Sequence, residues 1–418
     1  MNWPVIFHGK LYWTNVNHRM SNYELRNPPM MNMTRLNTTS SDGGGYRLDA
    51  GFDLAGGKLL AGIDGHVAKH KAVITDPVNN PMFLVDNFND VTRDLYGVFL
   101  EWNRSYARQR DVQVGVRYNR VDMNAGDVYS SMMMAQALQN RFNAADRSKV
   151  DNNFDIQAKL VQHMSSNLDL MVEGGRKTRS PSYQARYLWL PLEATNGLAD
   201  GNVYVGDIDL DPEVAYEVGL GFDWHEPDFQ VAPRVFYRYV DNYIQGVPAT
   251  DPLVTALQPE ALQFANVDAT LYGIDVPWGV ALKRNWSLDG TLSYVRGKRD
   301  DINDNLYRIA PLNGRATLTY QETGWWAAVE GVAYAKQNKV SETNHETRSD
   351  SYALLNLSAG FEPYQDIEIN AGIDNLFDKN YAPHLNGINR VAGTDVPVGD
   401  RIPGYGRNVF ASVTMRYN

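Results

Sequence analysis

The chain reads as an all-β protein, a transmembrane antiparallel β-barrel. About sixteen stretches alternate apolar with polar residues, and the connections between them sort into one short set and one long set. Nothing in the chain approaches the roughly 18 consecutive apolar residues that a membrane helix requires, and mean hydropathy is -0.42. A bilayer has no water for unpaired backbone groups, so a spanning sheet must curve into a wall with one face to lipid and one to a lumen.

Taken in order, the first stretch places Val5, Phe7, Leu11 and Trp13 on one face and His8, Lys10, Tyr12, Thr14, His18 and Met20 on the other, because side chains alternate along a strand. Further on, Val112, Val114, Val116 and Tyr118 oppose Gln113, Arg117 and Asn119. Near the end Ile367, Ile369, Ala371 and Ile373 oppose Glu368, Asn370 and Asp374, and the last stretch sets Val409, Ala411, Val413, Met415 and Tyr417 against Ser412, Thr414 and Arg416. Each pattern suits lipid on one side and water on the other.

Tight turns fall near Ala55 to Lys58, Tyr106 to Arg110, His163 to Asn167, Trp224 to Asp228, Lys283 to Asn285, Glu322 to Gly324 and Glu362 to Asp366, and these are expected at the periplasmic end. The long connections, roughly 21 to 42, 70 to 90, 124 to 147, 177 to 210, 241 to 262, 298 to 306, 338 to 350 and 378 to 403, are rich in Asn, Asp, Gly, Pro and Ser and are expected outside the cell. No linker divides them, so residues 1–418 read as one barrel domain.

Composition narrows the function. Thirty-nine basic against 49 acidic side chains give a net charge of -10, which argues against a polyanion-binding protein, so no nucleic acid is expected as a partner. With no cysteine there is neither a disulfide nor a thiolate metal site. The 24 Tyr and 9 Trp against 14 Phe favour rings with a polar handle, which settle where lipid meets water. Neither a Gly-rich phosphate loop nor a convincing Ser/His/Asp arrangement appears, so the chain is not expected to be an enzyme or to hold a catalytic cofactor.

His18 and Met20 are the candidate metal ligands. Same-face neighbours on a strand lie roughly 7 Å apart at the backbone, near enough for an imidazole nitrogen and a thioether sulfur to converge on one ion. Such a soft pair favours copper, Cu(I) above all. Met30, Met31 and Met33, with Met132, Met133 and Met134, cluster in long connections, where thioethers could pass copper inward or serve as adaptable loop packing. His66 and His70 share a lumen face but stand about 13 Å apart, too far to hold one ion. Arg234 and Arg238 are expected to line the interior. Asp300, Asp301, Asn303, Asp304 and Asn305 lack the spacing and closing Glu of a calcium loop.

The run Ile373-Asp-Asn-Leu-Phe-Asp-Lys-Asn-Tyr381, followed by Arg401-Ile-Pro-Gly-Tyr-Gly-Arg-Asn-Val-Phe410, resembles the C-terminal end of TonB-dependent receptors, although Asn418 rather than an aromatic residue is terminal. Arg179-Ser-Pro-Ser-Tyr183, Tyr187-Leu-Trp-Leu-Pro-Leu-Glu193 and Gly197-Leu-Ala-Asp-Gly-Asn202 look like the copper-receptor branch. The resemblance implies a Gram-negative outer-membrane protein embedded in lipid, with a 22-stranded barrel, a plug and an energy-coupling box that engages TonB. About sixteen of those strands are expected here, with the plug and first strands missing from the N-terminal side. The resemblance also implies a His-x-Met pair on the barrel wall, matched by His18-Arg19-Met20, that works with sulfur ligands from the plug to hold transported copper. A ferric-chelate (siderophore) receptor and a sixteen-stranded passive porin are the alternatives, together with a leftover piece that no longer folds.

Overall fold

The computed structural model describes residues 6–25, 28, 34–107, 109–192, 200–364 and 366–416. Of the residues singled out above, Val5, Met30, Met31, Met33, residues 193–199, Tyr417 and Asn418 lie outside the described residues. The strands run in chain order as β1 (Ile6–Ser21), β2 (Leu36–Leu54), β3 (Gly57–Asp76), β4 (Asn80–Tyr106), β5 (Arg110–Asn124), β6 (Lys149–His163), β7 (Leu168–Arg179), β8 (Tyr204–Val205) and β9 (Glu213–Glu226). They continue as β10 (Phe229–Val231), β11 (Arg234–Pro248), β12 (Leu262–Lys283), β13 (Trp286–Arg299), β14 (Asn313–Glu322), β15 (Trp325–Tyr334), β16 (Tyr352–Tyr364), β17 (Ile367–Asp374) and β18 (Asn408–Met415). β8 and β10 are fragments of two and three residues, and the other strands are the sixteen long ones expected.

Each long strand pairs antiparallel with the next long strand in the chain, a meander from β1 to β18. Among the described residues no strand pairs with the outer edge of β1 or of β18, and both strands are exposed along almost their whole length. All seven tight turns fall where expected. The connection expected at 70 to 90 does not: β3 and β4 run on through it as one hairpin closed by residues 77–79, with register shifts near Ala72. Its many Asn and Asp residues read as loop, yet a strand above the membrane has no lipid face and tolerates them.

The two faces separate cleanly. Toward the lumen, Arg117 forks onto Asp64 at 2.5 and 2.8 Å, Gln113 donates to Glu101 at 3.0 Å, and Lys177 and Arg238 both grip Glu217. Asn356 donates to Glu330, and Asn370 to Glu368. Toward lipid stand Ile63, Val98, Leu100, Phe154, Val172, Leu220, Val235, Val329 and Ile369, all exposed. Tyr106, Trp224, Trp286, Trp325 and Tyr364, with the half-buried Trp102, ring the outward face near the tight turns, and Tyr96, Tyr118, Tyr216, Tyr237, Tyr272 and Tyr294 ring it toward the long loops. Tyr96 to Tyr106 along β4 covers roughly 33 Å of strand, about 25 Å once tilted, which is the height of an outer-membrane apolar band.

Glycines make room for the larger rings. A methyl group on Gly360 would stand 2.1 Å from Nε1 of Trp326 and 2.6 Å from Oδ1 of Asn370, whereas Gly331 has nothing within 4 Å. Gly360→Ala is therefore expected to cost about 1–3 kcal/mol through displacement of a rigid indole, and Gly331→Ala to stay within about 0.5 kcal/mol. Urea unfolding of the reconstituted barrel measures both; equal costs would disprove the ring-on-glycine packing.

The buried apolar core lies in the loops and upper strands, outside the apolar band. It joins Ile74, Val85 and Val91 of the β3–β4 hairpin, Val121 and Met123 of β5, Leu138 and Phe142 of α1 (Gln136–Ala144), Tyr187 of α2 (Tyr183–Tyr187), Leu188 to Leu190, Tyr204, Val254 of α3 (Pro252–Thr255) and Leu262. Ser182 caps α2 by accepting from the Ala185 amide, and Asp251 caps α3 by accepting from the Leu253 amide. Trp189 Nε1 donates to the Asp86 carbonyl at 2.8 Å, and the Tyr187 hydroxyl to the Arg147 carbonyl at 2.7 Å. Burial pushes the Tyr187 phenol up to about 12, so it remains a donor.

Candidate functional site

β1 sets His18 and Met20 on its lumen face, on the side of His8 and Tyr12. His18 lies opposite Thr39 of β2, and Met20 opposite Asn37. Thr39 Oγ1 donates to the His18 carbonyl at 3.3 Å, which ties the backbone. Both side chains are exposed, so the pair is open to a ligand arriving by the lumen. Beside it, Oδ1 of Asn37 is buried with no hydrogen-bond partner among the described residues. Among the described residues no cluster of three or more His, Cys, Asp or Glu side chains could hold a metal ion.

The loop methionines part company. Met132 packs against the apolar core of the loops, whereas Met133 and Met134 are 89% and 65% exposed at the foot of α1. Met123, which the sequence did not single out, is buried with its sulfur 3.3 Å from an Arg186 guanidinium nitrogen.

His66 and His70 stand on the lumen face of β3 and engage different partners. Nδ1 of His66 meets the Tyr12 hydroxyl at 2.9 Å, and His70 stacks on Tyr183 with ring centroids 4.4 Å apart. Arg238 is held by Glu217 on the neighbouring strand. The acidic run near residue 300 serves as a knot. Asp301 accepts from Arg299, Asp300 from Thr270, and Asp304 from Ser341 and the amides of Glu342 and Thr343. Burial raises the Asp304 carboxyl, but hydrogen bonds from the Thr343 side chain and from the Thr343, Glu342 and Asn305 amides outweigh it and hold the group below the usual carboxylate range.

The two motif stretches have structural work. Asn375, in a left-handed conformation (φ 51°), donates to the Lys379 and Tyr405 carbonyls and accepts from the Lys379 amide, while Asp378 accepts from the Arg407 amide. Tyr381 lies 4.6 Å from the Tyr352 ring, which stacks on Tyr334. This clasp ties the end of β17 to the start of β18 beneath a long loop. The stretch from Arg179 runs from the Arg179–Glu213 ion pair through Ser180, which accepts from Asn153, to Trp189 over the β4 backbone. It is the keystone of the loop core.

The family model described as TonB dependent receptor-like, beta-barrel matches residues 2–376. The vitamin B12 transporter BtuB of Vibrio vulnificus (strain YJ016) is 26% identical over 217 residues, 51% of this chain and 31% of that protein. Among solved structures the copper transporter OprC has a TM-score of 0.81 at 21% identity, covering 98% of this chain and 62% of its own. The ferric yersiniabactin uptake receptor FyuA from Yersinia pestis has a TM-score of 0.68 at 13% identity, covering 99% and 59%. The chain thus spans less than two thirds of each of these relatives, and the structural likenesses speak for the fold.

Proposed function

The chain belongs to the TonB-dependent receptor β-barrel family, whose members are outer-membrane receptors, and on that premise we propose that it serves uptake of copper ions across the outer membrane, energised through TonB. The observation that carries the reading is the placement of His18 and Met20 as same-face neighbours on the lumen wall, with both side chains exposed among the described residues. An imidazole and a thioether suit Cu(I), and two ligands leave coordination places for sulfur donors from another part of the receptor. That OprC, a copper transporter, is among the folds it resembles adds support.

In the full-length receptor, Met20→Ala is expected to weaken Cu(I) binding by about tenfold or more, since even groups that only orient a metal ligand contribute that much. Equilibrium competition with a Cu(I) chelator reads the change, and unaltered affinity would remove Met20 from the site. A second reading, uptake of a metal chelate, is favoured by the stack of Tyr334, Tyr352 and Tyr381 on the lumen side near the loops. Growth restored by a ferric chelate and not by copper would select it.

A further inference from the structure

Half of the eight histidines of this chain, His8, His18, His66 and His70, stand on the lumen face of just two strands, β1 and β3. The strand register places them at successive depths. His70 lies level with Val16, His66 level with Tyr12, and His8 level with Gly62. Descending from His18, the steps along the strand are roughly 7, 13 and 13 Å at 3.3 Å per residue. The lowest two imidazoles are anchored in the same way, through Nδ1. His66 Nδ1 meets the Tyr12 hydroxyl at 2.9 Å, and His8 Nδ1 meets Oδ2 of Asp49 at 3.2 Å, a carboxylate itself steadied by Arg47 Nε at 2.8 Å.

A carboxylate only accepts, so Asp49 fixes the His8 proton on Nδ1 and leaves Nε2 as a lone pair, the arrangement that orients metal-binding histidines; His66 presents the same lone pair when its Nδ1–H donates to the Tyr12 oxygen. Gly43 and Gly45 make this possible: their missing side chains leave the space filled by the His66 ring edge, 3.3 Å from where a Cβ would sit, and by Tyr12. Lys10 lies between the two stations with its ammonium 5.7 Å from the Tyr12 ring centre.

We propose that the lumen face of β1–β3 is the transit path of the cargo, with Nε2 of His66 and then Nε2 of His8 as transient ligands for Cu(I) after it leaves His18 and Met20. Single, widely spaced ligands bind weakly, as release toward the periplasm requires. The inference rests on the copper reading above. Its test is the full-length receptor carrying His8→Gln together with His66→Gln, assayed for Cu(I) affinity at equilibrium and for the rate of copper uptake by cells. Affinity is expected to stay within about twofold while uptake falls about tenfold.

Uptake at the wild-type rate would overturn the path, and so would loss of affinity in step with uptake. His66→Met separates ligation from mere packing against Tyr12. A thioether keeps a soft donor at that depth and is expected to retain uptake, whereas a fall equal to that of His66→Gln would also overturn the path. Unchanged binding in Met20→Ala rejects the upper pair alone, and wild-type uptake in the double variant rejects the descending track alone.

Discussion

Asp151→Ala is expected to destabilise the folded chain by about 3–5 kcal/mol, the cost of stranding one member of a buried ion pair. The Arg186 side chain is 2% exposed and that of Asp151 6%, with the guanidinium Nη2 2.8 Å from Oδ1 of Asp151 and 2.8 Å from the Leu210 carbonyl. Removal of the carboxylate leaves that cation facing one carbonyl and the Met123 sulfur, neither of which neutralises it. Arg93, near enough for its charge to act on both groups, adds a second positive charge to the same region. The double variant Asp151→Ala with Arg186→Met removes the stranded cation and is expected to recover most of the loss, since hydrophobic replacement of an entire buried pair is often neutral. Urea unfolding of the barrel in detergent measures both. A single-variant cost under about 1 kcal/mol would mean that water reaches the pair.

That ion pair was invisible in the sequence, and the reason is physical. Asp151 belongs to β6 and Arg186 to α2, and nothing in the local pattern of either stretch registers a contact made only when the loop after β7 folds back over the wall. The strands were legible because lipid on one face and water on the other impose a period of two, as at Val112 to Asn119. The tight turns were legible because seven short breaks recur at the same end. Above the membrane that constraint lapses. The β3–β4 hairpin read as a loop, and the core formed by Tyr187, Trp189 and Phe142 did not register at all. The candidate ligands divide along the same line. Strand parity alone puts His18 and Met20 on one face, but the anchoring of His66 by Tyr12 and of His8 by Asp49 depends on cross-strand register, and only the folded sheet supplies it. The sequence also could not distinguish Met132, packed in the core, from Met133 and Met134, its exposed neighbours.

The face assignment is open to a direct energetic test on β17, where adjacent residues point to opposite faces. Ile369 pairs with Phe361 and Val413 on the lipid side, and Asn370 faces the lumen, where it donates to Glu368 at 2.9 Å. Ile369→Arg is expected to cost about 2–4 kcal/mol if the residue lies near mid-bilayer, because the guanidinium must either sit in hydrocarbon or drag water and headgroups to it. Asn370→Arg places the same side chain in the wet lumen beside the Glu368 carboxylate, which already accepts from Arg416 at 3.3 Å. Its cost is expected to stay below about 1 kcal/mol, the range of ordinary solvated substitutions. Folding into lipid vesicles, followed by denaturant titration, gives both numbers. Equal costs, or a larger cost at Asn370, would place lipid on the opposite side of the sheet and turn His18 and Met20 away from any path through the barrel.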